Sequence, residues 1–254
     1  MFNFLQTGDP VNSLEWIIYL AVKYKSSFLE GTLITLYVAI LGTLSGFVLG
    51  FLLGLIDDQT IDKEDFILKK ILLYIAKFIS KIFVEIFRGT PMIVQGMVIY
   101  YGLRQMGVPL SSVAAGILVT FLNTGAYMAE TVRAGIKSIN IGQREGAYSM
   151  GMSPLMTMFY VVLPQAFKNV IPEMCNMFLN NLKMTSVLNV IGVSELYLTA
   201  KTVAGNYYKY FEAYIVIALI YFVLCLVISQ LIALLERKLE SKKNYTLAVE
   251  YVTE

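Results

Sequence analysis

Three long stretches of the chain contain no charged residue and are rich in leucine, valine and isoleucine: residues 31–56, 105–129 and 213–235. An α-helix needs about 20 apolar residues to cross the hydrocarbon core of a bilayer, and each stretch is longer than that. The pattern therefore predicts three membrane-spanning helices. Gly107 and Pro109 predict a turn at the entry to the second of them.

Two further stretches are apolar but less uniform. Residues 89–103 open with Gly-Thr-Pro, which predicts a helix start with proline in its first turn. Residues 169–194 contain a set of polar side chains: Asn176, Asn180, Asn181, Lys183, Thr185, Ser186 and Asn189. Because lipid does not tolerate so many polar groups, this helix is expected to face protein or a water-filled path. The sequence thus predicts an all-α membrane protein with about five spans.

Two further stretches predict helices at the membrane surface. In residues 66–87, Lys70, Lys77 and Lys81 share one helical stripe, and apolar residues such as Phe78 lie opposite. A basic face of this kind suits an interfacial helix, with a short sixth span as the alternative. Residues 14–24 are too short to span and are expected on the outer surface. The acidic run 57–65 predicts a solvated loop.

Lysine and arginine concentrate in the connections that follow the first, third and fifth spans. Cytoplasmic loops carry the excess of basic residues, so the sequence predicts an external N-terminus and a cytoplasmic C-terminus. The expected layout is an external segment 1–27, a transmembrane domain 28–238 and a cytoplasmic tail 239–254.

The composition of the 254 residues agrees with a membrane protein and narrows its chemistry. Hydrophobic residues make up 57% of the chain and charged residues 15%, against about 25% charged in a soluble domain. The sequence has no histidine, which removes the commonest metal ligand and the usual general base. Its two cysteines lie in apolar stretches, and the net charge of +2 does not indicate a nucleic-acid partner. The start lacks basic residues, so no cleaved signal peptide is expected.

The most informative motif lies after the third span. Its spacing is E-G-A-x3-G-x9-V-x-L-P, formed by Glu145, Gly146, Ala147, Gly151, Val161, Leu163 and Pro164. Ala147 and Gly151 are four apart, which predicts one small-residue face of a short helix that a partner can approach closely. Glu145 is expected near the positive end of that helix, where it can meet a basic partner residue. A plain cytoplasmic helical hairpin is the alternative.

This motif resembles the EAA loop of ABC importer permeases, whose pattern is E-A-A-x3-G-x9-I-x-L-P. Residues 85–91, including Arg88, Gly89, Thr90 and Pro91, resemble the polar amino acid permeases of the histidine/glutamine type. So do residues 125–136, with Glu130 and Arg133, and residues 182–196. The resemblance covers about residues 28–238 and implies the type I ABC importer permease fold in a bacterial inner membrane.

The same resemblance implies partners. It implies a second permease subunit (a homodimer or a related heterodimer), a pair of cytoplasmic ATPases and an external substrate-binding protein. The coupling segment, about residues 140–155, would transmit ATPase closure to the spans and so drive alternating access. No G-x4-G-K phosphate loop followed by Ser or Thr occurs in the sequence, so ATP and Mg are expected on the partner, and this chain is not expected to be an enzyme.

The resemblance also implies a substrate path, which counting from Glu145 puts at Met177, Asn181 and Met184, with Thr124 and Tyr127 opposite and Ser186 beyond. Related permeases often carry an acidic residue where this chain has Met184. Because a cationic substrate in a low-dielectric cavity needs a partner charge, its absence favours an uncharged or sulfur-containing amino acid such as glutamine or cystine. A cationic amino acid is the alternative.

Each of these residues also has a structural interpretation. Met177 and Met184 could pack at a dimer seam, and Asn181 could serve only as an interhelical hydrogen-bond donor. Lys183 could pair with Glu130 or Glu195. Glu130 and Arg133, one helical turn apart, predict an internal salt bridge.

Two other classes of membrane protein are disfavoured. A channel would need a ring of charge or a carbonyl filter, and neither is recognisable in the sequence. A membrane enzyme would need an acid–base pair, which the lack of histidine and of clustered intramembrane carboxylates does not supply.

Overall fold

The structure is a computed structural model that describes residues 10–59, 61 and 66–240. The described residues form helices and no strand: α1 Ser13–Lys23, α2 Lys25–Asp58, α3 Ile67–Gly89, α4 Met92–Gln105, α5 Ser112–Lys137, α6 Ile141–Ser149, α7 Pro154–Thr157, a π turn Met158–Val162, α8 Leu163–Met184, a 3₁₀ helix Thr185–Ile191, α9 Leu196–Tyr207 and α10 Tyr210–Glu240. This confirms the predicted all-α class. Most of the predicted loop 57–65 and the predicted tail 239–254, and the start of the segment 1–27, lie outside the described residues.

Among the described residues, three helices are long and apolar enough to cross a membrane: Lys25–Asp58, Ser112–Lys137 and Tyr210–Lys238. They correspond to the three uncharged stretches of the sequence. The second begins at Ser112, seven residues later than predicted, because residues 106–111 form the connection. Gly107 there has a φ of +80°, and the Ser111 side chain caps α5 by accepting a hydrogen bond from the Ala114 amide.

The contact between α2 and α5 forms the centre of the fold. Four glycines of α2, Gly42, Gly46, Gly50 and Gly54, meet Thr120, Thr124, Met128 and Val132 of α5 in the same order, so the two helices run parallel. A Cβ atom added to any of these glycines would lie within 2.4–2.7 Å of an α5 side chain. We call this row the glycine ladder; it brings the two backbones close together along much of their length.

Because α2 and α5 are parallel, the chain must return between them, and α3 and α4 make that return together. The predicted span 89–103 is α4 alone, which at 14 residues is about 21 Å long. Pro91 has no amide hydrogen and interrupts the helix after Gly89. The Gln95 side chain occupies the break, donating to the carbonyls of Phe87 at 2.8 Å and Thr90 at 2.9 Å. Asn123 of α5 donates to Gln95 at 3.0 Å. The break is therefore a fixed bend.

The fourth predicted span, 169–194, begins earlier and ends in a different helix type. It is α8, Leu163–Met184, followed by the 3₁₀ helix. The side chains of Thr185, Ser186 and Asn189 each donate to a carbonyl three residues earlier, at 2.7–2.9 Å, which favours the tighter winding. Val170 packs on Gly135 and Leu188 on Gly116, so α8 runs antiparallel to α5.

The predicted helix at residues 14–24 is present as α1, and it packs against α9 and α10. Its Ser13 hydroxyl donates to the Glu212 carboxylate at 3.0 Å, and Trp16 lies 5.5 Å from the Tyr207 ring. The Tyr19 and Tyr207 hydroxyls raise the pKa of Lys23 above its ordinary value by hydrogen bonding to the ammonium. Helix α1 is thus attached to the end of the bundle opposite α6.

Candidate functional site

The helix α6 carries the motif and has a defined start and end. The Asn140 side chain accepts a hydrogen bond from the Gly142 amide at 2.8 Å, which caps the first turn. Gly151 follows the helix with a φ of +83°, and the Met152 amide returns to the Ala147 carbonyl at 3.1 Å. This is the usual glycine termination of an α-helix. The motif glycine therefore ends the helix, and a Cβ atom there would have open space around it.

This geometry corrects the expectation that Ala147 and Gly151 share one face for a partner. Ala147 is 3% exposed and points into the chain, while Gly151 lies beyond the last turn. The predicted face is wrong because the helix ends at Ser149, before Gly151, and turns Ala147 toward its own bundle. Glu145 and Gly146 are exposed, so their side of α6 is the accessible one.

Large apolar side chains are exposed around α6. Met150 is 77% exposed and Tyr160 74%, and they are accompanied by Tyr148, Leu155, Met156 and Phe159. Tyr148 is the member that lies on α6 itself, where exposed polar residues such as Gln143 and Glu145 precede it. An apolar patch with a polar surround is typical of a protein interaction site. We call this set the α6 patch.

An ion pair joins α6 to the end of α2. The Arg144 guanidinium donates to the Asp58 carboxylate at 3.0 Å, and the Asp58 side chain is only 9% exposed. Lys77 of α3 reaches the same place and donates to the carbonyls of Asp57 at 2.9 Å and Gln59 at 2.7 Å. Three helices therefore meet at the C-terminus of α2.

The last two motif residues lie away from the surface of α6. Leu163 belongs to a core cluster with Val132, Ile136 and Val162. Pro164, which has no amide to offer the Tyr160 carbonyl, stands at the start of α8 directly after the π turn. The Leu163 amide there bonds to the Met158 carbonyl, five residues back. These two residues shape the chain between α6 and α8.

The predicted path residues Asn181 and Thr124 form a buried hydrogen-bond node. The Asn181 amide donates at 2.8 Å to the hydroxyls of both Thr43 and Thr124, and Asn181 is 3% exposed. The node joins α2, α5 and α8, which is the structural role considered for this asparagine. The Asn181 amide and the Thr124 hydroxyl are therefore hydrogen-bonded to each other within this subunit.

Tyr127 and Met184 are more open. Each is exposed on the surface of the chain, while Met177 is half-buried. Arg88 stacks over the Tyr127 ring at 5.6 Å and lies 3.7 Å from the Glu130 carboxylate. Arg133 also donates to Glu130, which confirms the predicted internal salt bridge. Two guanidinium groups thus flank one carboxylate on this side of α5.

Ser186 lies elsewhere, in a cavity of about 350 Å³ with Lys183 and three tyrosines, Tyr197, Tyr214 and Tyr221. The expected pairing of Lys183 with Glu130 or Glu195 is absent from the described part of the chain. Glu195 is fully buried and accepts hydrogen bonds from the amides of Tyr197 and Leu198 and from the Tyr221 hydroxyl. It caps α9, and these three donors hold its carboxylate.

Three participants were not predicted from the sequence: Thr43, Gln95 and Asp58, the partner of Arg144. Gln95 had a local signal, because it stands four residues after Pro91, where the chain needs a donor for the carbonyls left open. The other two pair with residues 138 and 86 positions away. No local pattern marks such pairs.

Comparison with known proteins decides the family. The model of the family described as "Binding-protein-dependent transport system inner membrane component" matches residues 73–241. The chain belongs to this family. The permease is 34% identical over 214 residues to the arginine transport system permease protein ArtQ of Bacillus subtilis, covering 84% of this chain and 92% of that protein. It is 31% identical over 214 residues to the glutamine transport system permease protein GlnP of Escherichia coli K12, with the same coverage.

Solved structures agree with this assignment. The permease superposes on a chain of the "amino acid ABC transporter with histidines" with a TM-score of 0.76 and 36% identity, covering 91% of this chain and 100% of that one. A chain of the MetNI methionine ABC transporter gives a TM-score of 0.70 at 20% identity, covering 85% and 98%, which shows a shared fold. The type I importer permease fold and the membrane location predicted from the sequence are thereby confirmed.

Proposed function

We propose that this permease forms the translocation path of an ATP-driven importer for amino acids and is moved by a separate ATPase bound at α6. The observation that carries the proposal is the exposed α6 with its surrounding patch. Helix α6 is short and capped, carries the motif and lies at one end of the bundle. It therefore offers a partner protein a defined binding surface. The names of its relatives, permeases of arginine and glutamine transport systems, support amino acids as substrates.

The complete assembly would contain two permease subunits, two cytoplasmic ATPases that bind ATP and Mg, and an external binding protein. In the predicted orientation α6 lies on the cytoplasmic side and α1 on the outer side. Closure of the ATPases would push on α6, and the spans would swing to open the path alternately to each side.

For the substrate we propose an uncharged or sulfur-containing amino acid such as glutamine or cystine. Met184 offers no carboxylate to a cationic side chain. The guanidinium groups of Arg88 and Arg133 both pair with the Glu130 carboxylate, so positive groups on this surface outnumber the carboxylate that they share, and arginine stays protonated. That surface suits a carboxylate and repels a cation. Arginine is the second candidate, because a relative of 34% identity is a permease of arginine transport.

The substrate assignment is tested by uptake into vesicles that contain the complete importer. Glutamine and cystine are expected to compete for uptake, and excess arginine is expected to leave uptake unchanged. Preferential uptake of arginine would overturn the proposed specificity while leaving the importer function in place.

The coupling role is tested with bulky and conformational changes at α6. Glu145→Trp is expected to abolish uptake and ATPase binding, whereas Gln143→Ala on the same helix keeps both. Gly151→Val should also fail, because a β-branched residue does not tolerate the positive φ, while Gly151→Asn should keep partial uptake. Uptake at the normal rate by Glu145→Trp, with the ATPase still bound, would contradict the assignment of α6.

A further inference from the structure

The attachment of α6 to the rest of the permease is narrow. Its main packing partners are α7 and the π turn, which follow it directly in the chain, and Ala147 is its one buried residue. Most of its remaining surface is exposed. Within the described residues, α6 is joined to a membrane-spanning helix by a side-chain hydrogen bond in the Arg144–Asp58 ion pair.

The position of Asp58 is unfavourable for a helix on its own. Asp57 and Asp58 close α2, and no basic residue lies in its last turn. Carboxylates at a helix C-terminus face the negative end of the helix dipole. Arg144 and Lys77 supply the missing positive charge from α6 and α3. The acidic end of α2 is therefore suited to hold basic side chains from neighbouring helices.

The geometry of the pair also suits transmission of movement. The Asp58 side chain is 9% and the Arg144 side chain 24% exposed, so water and salt screen the pair less than an open surface pair. Behind Asp58, the glycine ladder joins α2 to α5, and the Asn181 node joins both to α8. A displacement of α6 that pulls on Asp58 therefore acts on three packed helices at once.

We propose that the Arg144–Asp58 pair is the link through which α6 moves the α2–α5 unit, so that both residues are positioning residues for transport. The inference rests on the proposed function, because it assumes that an ATPase binds α6. The pair involves none of the motif residues Glu145, Gly146 and Gly151, and the Arg144 side chain is bonded to the end of α2. Loss of the pair should consequently leave ATPase binding intact and reduce the uptake that ATP hydrolysis drives.

The test compares uptake and ATP hydrolysis in vesicles that hold the complete importer with its ATPase. Uptake is followed with a radiolabelled mixture of amino acids, and hydrolysis by release of inorganic phosphate. Asp58→Asn and Arg144→Gln are each expected to retain the ATPase and to lower the amino acids imported per ATP roughly two- to thirtyfold. Lys168→Gln, which removes an exposed charge from α8, is the matched control and should keep the wild-type ratio.

The exchanged pair, Asp58→Arg with Arg144→Asp, separates a mechanical link from a general loss of folding. It is expected to recover most of the lost ratio, because the contact is restored with its charges reversed. An exchanged pair no better than either single variant, or single variants with the wild-type ratio, would overturn the inference. Failure of the wild-type chain to bind any ATPase would instead refute the proposed function itself.

Discussion

The glycine ladder allows a sharp prediction at Gly50, in the middle of the α2–α5 contact. A Cβ atom at Gly50 would lie 2.4 Å from the Met128 Cβ, 2.7 Å from the Ala129 nitrogen and 2.8 Å from the Gly125 oxygen. Two of these atoms are backbone and the third is attached to it, so no side-chain rotation can relieve the clash. Gly50→Ala must therefore push the two helices apart.

The size of the effect follows from these distances. Carbon atoms at their best separation are about 3.5–4.0 Å apart, so the helices must separate by about 1 Å. A gap of that size forfeits a quarter to a half of each dispersion contact along the ladder, and overpacking of this kind costs about 1–3 kcal/mol. Alanine also gains about 1 kcal/mol of helix propensity over glycine, and a matched control must share that gain.

Gly102 provides this control, because it lies within α4 and a Cβ atom there meets nothing within 4 Å. Unfolding of the purified permease in mixed detergent micelles, followed by circular dichroism, gives the free energy of each variant. Gly50→Ala should be less stable than Gly102→Ala by about 1–3 kcal/mol. Equal stabilities would refute the close packing of α2 against α5.

Two further predictions concern α6 and the Asn181 node. Gly146→Ala should stabilise α6 by about 0.5–1 kcal/mol and slow hydrogen exchange of its amides, because the added methyl has open space. Uptake should be unchanged, and loss of uptake would show that a partner needs the glycine. Asn181→Leu should cost about 1–2 kcal/mol in the same unfolding assay, because it leaves the Thr43 and Thr124 hydroxyls unpaired. Adding Thr43→Val and Thr124→Val should recover much of that loss, and a further drop would contradict the node.

Apolar runs predicted the fold well because the bilayer imposes a minimum length on each crossing, and that length is visible in the sequence. Predicted boundaries moved where capping decides them, as at Ser111 for α5 and Gly192 for the 3₁₀ helix. The second crossing differed from the prediction because α3 and α4 make it together. Helix α3 carries charged residues on one face, and for that reason the sequence predicted it to lie at the membrane surface. A hydropathy pattern alone cannot divide such a helix between interface and interior.

The sequence predicted the position of the candidate site correctly, but not which side chains of its helix face a partner. The motif located α6, but the side that Ala147 presents depends on where the helix is anchored. That anchor, Asp58, lies 86 residues from Arg144 and becomes its neighbour only after the bundle has assembled. The same holds for Thr43 and Asn181.

The bend between α3 and α4 has a consequence for how the protein can move. Its open Phe87 carbonyl is held by the side chains of Gln95 and Asn123, which belong to two different helices. Straightening the bend would strand that oxygen in a medium without water, at a cost of several kcal/mol. We therefore expect α3 and α4 to keep this angle and to move together as one unit.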